Sequence, residues 1–94
     1  MFMQDVIHVE VLPERRLHLR FADQREGVVN MDAIVASYTG VFAPLLDPVY
    51  FAQVTVDPDL GTVVWPNGAD ACPDVLYAHA TGQLDKLRSA DRNL

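Results

Sequence analysis

Residues 54–77 read VTVDPDLGTVVWPNGADACPDVLY, two alternating segments joined by turn chemistry, then a stop and a helix start. Gln53 to Asp57 places Val54 and Val56 against Gln53, Thr55 and Asp57, and Thr62 to Trp65 is rich in β-branched residues before it ends in tryptophan. That period of two is the mark of a half-buried strand. Between the two segments, Asp57-Pro58-Asp59-Leu60-Gly61 supplies a proline that presets φ and a glycine that accepts a positive φ, which predicts a hairpin. Pro66 stops the second strand, Asn67-Gly68 makes a further turn, and Pro73-Asp74 opens a helix through Val75, Leu76, Tyr77 and Ala80; its N-cap is expected near Asp70 or Ala71.

Upstream the same period recurs. Ile7, Val9 and Val11 alternate with His8 and Glu10, and Leu17, Leu19 and Phe21 alternate with Arg16, His18 and Arg20. Pro13-Glu14-Arg15 is short and holds a residue that cannot continue a ladder, so these runs form a hairpin with Leu12 near Arg16. The implied register opposes Val11 to Leu17, Val9 to Leu19 and Ile7 to Phe21 on one face, and Glu10 to His18 and His8 to Arg20 on the other. Slipping it by one residue turns an apolar row to water. Ala22-Asp23-Gln24-Arg25 suits a second turn before a third strand over Glu26 to Met31, whose inward face is left open by its composition. Gly40, Pro44 and Pro48 punctuate the following segment, predicting short helical turns over Ala33 to Tyr38 and near Phe42 to Leu46.

The chain has 94 residues, one size of domain and no more, and half of them are hydrophobic, as expected of a packed core rather than a disordered acidic tail. Residues 1–82 are read as a single α+β domain: an antiparallel meander, a second hairpin, one helix near the C-terminus and short helical turns. Residues 83–94 are read as a charged tail, a short or fraying helix at best. Thirteen acids against seven bases give a formal charge of −6, which repels phosphates and anionic lipid and favours basic partners. One cysteine, Cys72, excludes an internal disulfide and points to a reducing interior. The N-terminus lacks the basic and apolar regions of a secretory signal, and no apolar run reaches bilayer length, so the expectation is a soluble cytoplasmic protein.

The pieces LHLRF, Leu46-Asp47-Pro48 followed by Phe51, Val56-Asp57, Val64-Trp65-Pro66-Asn67-Gly68 with Asp70, and Pro73-Asp74-Val75-Leu76-Tyr77 resemble the DUF2442 family of small bacterial α+β proteins. Members usually carry glycine in the turn after the second strand, where this chain has Gln24. The resemblance implies no assigned activity. Some members carry a helix-turn-helix domain after this one and many are encoded beside another small protein, which implies a partner-binding or antitoxin-like role. The segment beyond Gly82 is too short for two packed helices and their turn, so direct DNA binding is not expected.

Candidate chemistry is sparse. His8, Glu10 and His18 share the polar face of the first hairpin, with His8 diagonal to His18 at about 7 Å, and such a trio suits a divalent metal. Polar alternation on a solvated strand needs no ligand, however. Asp57, Asp59 and Asp70 lack the later ligands and the bidentate glutamate of a calcium loop. His79 lies seven residues from Cys72, about 10 Å along a helix and beyond proton-transfer reach. No nucleophile elbow, phosphate loop or dinucleotide glycine pattern occurs. The remaining candidate is Trp65, Asn67, Asp70 and Tyr77, read either as the cap of the core or as the centre of a binding surface. The leading expectation is a non-catalytic protein-interaction domain without cofactor. Its partner is a small basic protein encoded nearby, or a second copy through a strand edge, and neither nucleic acid nor membrane. The alternative is a metal-binding protein or metal-dependent enzyme using His8, Glu10 and His18.

Overall fold

The structure is a computed structural model and describes residues 4–82. Strands β1 (Val6–Leu12), β2 (Arg16–Phe21) and β3 (Glu26–Asn30) form an antiparallel sheet in the order β1-β2-β3. A second hairpin pairs β4 (Thr55–Asp57) with β5 (Thr62–Val64), and helix α2 (Pro73–Thr81) follows. Between the sheets lie 3-10 turns at Met31–Ala33 and Gly40–Leu46 and a one-turn helix, α1 (Pro48–Phe51). The α+β architecture read from the sequence is the one observed. The predicted tail, residues 83–94, lies outside the described residues.

The first hairpin closes with Leu12 opposite Arg16, and Val11 meets Leu17, Val9 meets Leu19, Glu10 meets His18 and His8 meets Arg20. One pair departs from expectation. Val6, not Ile7, faces Phe21, because the register shifts between Val6 and His8. Ile7 is the extra residue of a bulge and stands 49% exposed, while Val6 is buried and donates its N–H to the Gly61 carbonyl at 2.9 Å. That bond joins the first sheet to the second hairpin, and the bulge reverses the parity that alternation alone assigns.

The inward face of β3 now resolves: Val29 and Met31 are buried and Val28 is 47% exposed. With Leu17, Leu19 and Phe21 they floor the core, each full burial of such a side chain contributing about 1.5–3 kcal/mol. Gly27 lies on the same face, and a Cβ there would stand 2.0 Å from the Ala80 carbonyl oxygen. The backbone of α2 therefore rests on the sheet where a side chain is missing. Leu76, Tyr77 and Ala78 turn inward from that helix.

The helical turns are shifted from their expected places. The predicted turn over Ala33 to Tyr38 instead spans Met31–Ala33, because the Asn30 side chain accepts from the Asp32 N–H and starts it early. The second spans Gly40–Leu46, and α1 is added where Asp47 caps the Val49 N–H ahead of Pro48. Both devices are local Asx caps, and α1 adds proline at its first helical position. The N-cap of α2 is Cys72, next to Ala71 as expected and without a side-chain bond, and Gly82 ends the helix at φ +73°. Strands β4 and β5 each fall short of the expected span, and Trp65 already donates its N–H to the Ala69 carbonyl in the next turn.

Candidate interaction surface

Trp65 follows β5 and is only 1% exposed. Its indole N–H donates to the Phe51 carbonyl at 3.0 Å, and its ring lies 5.6 Å from that of Phe51. Asn67 is exposed but fully engaged. Its backbone N–H donates to the Tyr50 hydroxyl oxygen at 2.9 Å, its side-chain amide donates to the Val41 carbonyl at 2.8 Å, and its side-chain oxygen accepts from the Ala69 N–H at 3.1 Å. Gly68 closes the turn at φ +89° with its N–H on the Trp65 carbonyl. Below them, buried Thr62 donates to the Ala71 carbonyl at 2.6 Å. The loop after β5 is thus clamped to the 40–51 segment.

Tyr77 is 5% exposed and meets Phe21 edge-on at 4.9 Å. Its hydroxyl donates to Asp23 at 2.5 Å, which ties α2 to the β2–β3 turn. That hydrogen bond holds the Asp23 carboxyl below its ordinary range and raises the Tyr77 phenol. Of the four candidate residues, Trp65 and Tyr77 turn inward, while Asn67 and Asp70 face solvent. Asp70 also forms an isolated bridge with Val64.

On the outer face of the sheet, His18 Nε2 lies 3.0 Å from Glu26 Oε1 and His18 Nδ1 lies 4.0 Å from Glu10 Oε1. Glu26 also faces Arg20 at 3.7 Å, and His8 sits opposite Arg20, diagonal to His18, as the register read from the sequence implies. Among the described residues no group of three His, Cys, Asp or Glu side chains is placed to hold a metal ion. Sequence reasoning missed Glu26, whose position beside His18 follows only from the β2–β3 register. Asp57 spends Oδ1 on the Asp59 and Leu60 N–H groups, as turn chemistry requires. Cys72 is exposed at the start of α2, and burial lowers the His79 imidazole on the same helix.

A second cluster escaped the sequence altogether. Arg15 clasps Asp32 through two bonds of 2.8 and 3.1 Å, and its guanidinium stands 5.5 Å over the Tyr38 ring. The Tyr38 hydroxyl donates to the same carboxylate. Arg15, followed by Tyr38, holds Asp32 down at about 2, while burial and then Asp32 push Tyr38 up to about 12. The pairing joins residues 17 apart, and no local pattern marks it. Arg15 and Glu14 both take positive φ, +57° and +63°, in the β1–β2 turn.

Beside that turn a groove of about 330 Å³ runs between Val11, Leu12 and Pro13 and the opposing Leu46, Pro48 and Phe51. Val11 is 37% and Leu46 51% exposed. Close to Leu46 in the chain, Val49 is 72% exposed.

The family model described as "Protein of unknown function (DUF2442)" matches residues 6–82. No curated protein and no solved structure matches the chain.

Proposed function

This chain belongs to the DUF2442 family, whose function is unassigned, and we propose from that premise that it is a non-catalytic interaction module. Its partner is a small basic protein, in an antitoxin-like pairing within a reducing cytoplasm. The observation that carries the reading is the charge of the described residues, 4–82. Eleven of the thirteen acids but only four of the seven basic residues lie between residues 4 and 82. Three of those four arginines already face a carboxylate of their own, Arg15 with Asp32, Arg20 with Glu26 and Arg25 with Asp23. The surplus of carboxylates therefore sets the outer field, which speeds and selects encounter with a basic partner. A further support is the use made of the distinctive residues. Trp65, Thr62, Asn67 and Tyr77 each give their polar atoms to the fold.

Affinity purification of the chain from its native cell, at low and at raised salt, tests the reading. One stoichiometric basic companion, lost as salt rises, is the expected result. Recovery of the chain alone, or of a companion indifferent to salt, overturns it.

A further inference from the structure

We propose that the free edge of β1, with the groove beside it, accepts an extended segment of a basic partner in which apolar and basic residues alternate. The inference rests on the interaction-module reading and assigns the surface and the mode. Strand β1 is the outer strand of its sheet, and among the described residues its ladder is with β2 alone. An edge of this kind offers unpaired backbone groups that an added strand can satisfy. Its beginning is joined to the second hairpin by the Val6–Gly61 bond, and β1 packs against β4 and β5 there.

Side-chain parity then sets the chemistry of the guest. Val11 lies on the inward side of β1 and lines the apolar groove with Leu46 and Phe51, while His8 and Glu10 stand on the outer side. Alternate residues of an added strand point to these two sides in turn. One set must be apolar, to cover Val11 and Leu46, and the other faces Glu10. Glu14 lines the groove and Asp47 lies between Leu46 and Pro48, both exposed. Arg15, the cation in the groove wall, is already clasped by Asp32. Arg16 sits with His18 and Arg20 in the outward parity of β2, its Nε donating to the Pro13 carbonyl. A second copy is the poorer guest, since two edges carrying the same excess of carboxylates repel.

The test is an amide-shift titration of the isotope-labelled full chain with a capped peptide of alternating Lys and Val. A peptide of alternating Glu and Val and a block peptide of the same Lys and Val content serve as comparisons. Expected shifts cluster at Val9 to Leu12, Leu46 and Phe51, binding weakens with salt, and both comparison peptides bind at least about tenfold more weakly. Leu46→Lys should raise Kd by about tenfold or more, while Val28→Lys, on the outer face of β3, should leave it within about twofold. Shifts mapping to another face, equal binding by either comparison peptide, or absence of binding overturn the proposal. So does a dimer in sedimentation whose interface covers β1. If a companion recovered from the native cell binds the Leu46→Lys chain as tightly as the unaltered one, the groove assignment fails and the module reading stands; recovery of no companion removes the module reading itself.

Discussion

Gln24 holds a backbone conformation that its own side chain makes costly, φ +74° in the β2–β3 turn. Glycine is the residue expected of this turn from the family resemblance, and the geometry supplies the reason: a Cβ in the left-handed region costs about 1–2 kcal/mol. Gln24→Gly removes that cost but loosens the unfolded chain, so a net gain of about 0.5–1 kcal/mol is expected, read as a higher urea midpoint at unchanged slope. Thr62 gives the opposite case. Its hydroxyl is buried and donates to the Ala71 carbonyl, fixing the loop that leads into α2. Thr62→Val keeps the shape and orphans that carbonyl, which should cost about 1–3 kcal/mol; a loss below a few tenths would show that water replaces the bond.

The meeting of α2 with β3 turns on one missing side chain. Gly27 lets the helix backbone approach until the Ala80 carbonyl oxygen would lie 2.0 Å from a Cβ, and its carbon 2.8 Å away. Backbone cannot swing aside as a long side chain can. Gly27→Ala should therefore destabilise by about 1–3 kcal/mol through overpacking, outweighing the gain of about 0.5–1 kcal/mol that alanine brings to a strand. Thermal melting checks this, and a Tm that rises would show that the helix rides clear of the sheet. The two hairpins were legible because strand parity is written in single residues, and each turn carried its proline, glycine or aspartate. Ile7 was not legible, since its outward position depends on a bulge fixed by Gly61 from another hairpin. The turns around Met31 and Pro48 carried their Asx signals at Asn30 and Asp47, which prolines and glycines nearby outshone.

Two carboxylate-phenol pairs tie distant parts together, Asp23 with Tyr77 and Asp32 with Tyr38 and Arg15. Both aspartates are lowered, Asp32 to about 2, so their contribution is complete above the unfolded carboxyl value and is lost as pH falls toward 2. Both phenols are raised, Tyr38 to about 12, so their contribution is complete below the unfolded phenol value and is lost as pH climbs toward 12. Stability should be level between about pH 7 and 9, decline as pH falls through the imidazole range because His79, lowered by burial, takes up its proton more readily unfolded, and fall further in an acid limb between about 4 and 2 as the aspartates protonate. Asp32→Asn should flatten that limb in denaturant titrations at stepped pH; an unchanged limb would assign acid sensitivity elsewhere. By itself the sequence determined the strands, the turns between them, the helix start and the family, because alternation and turn chemistry act over a few neighbouring residues. Tertiary structure alone decided that Trp65 and Tyr77 face inward, that Arg15 meets Asp32, and that Val11 and Leu46 line one groove. Those outcomes depend on which elements pack together, and contacts between residues so far apart in the chain leave no mark in local spacing.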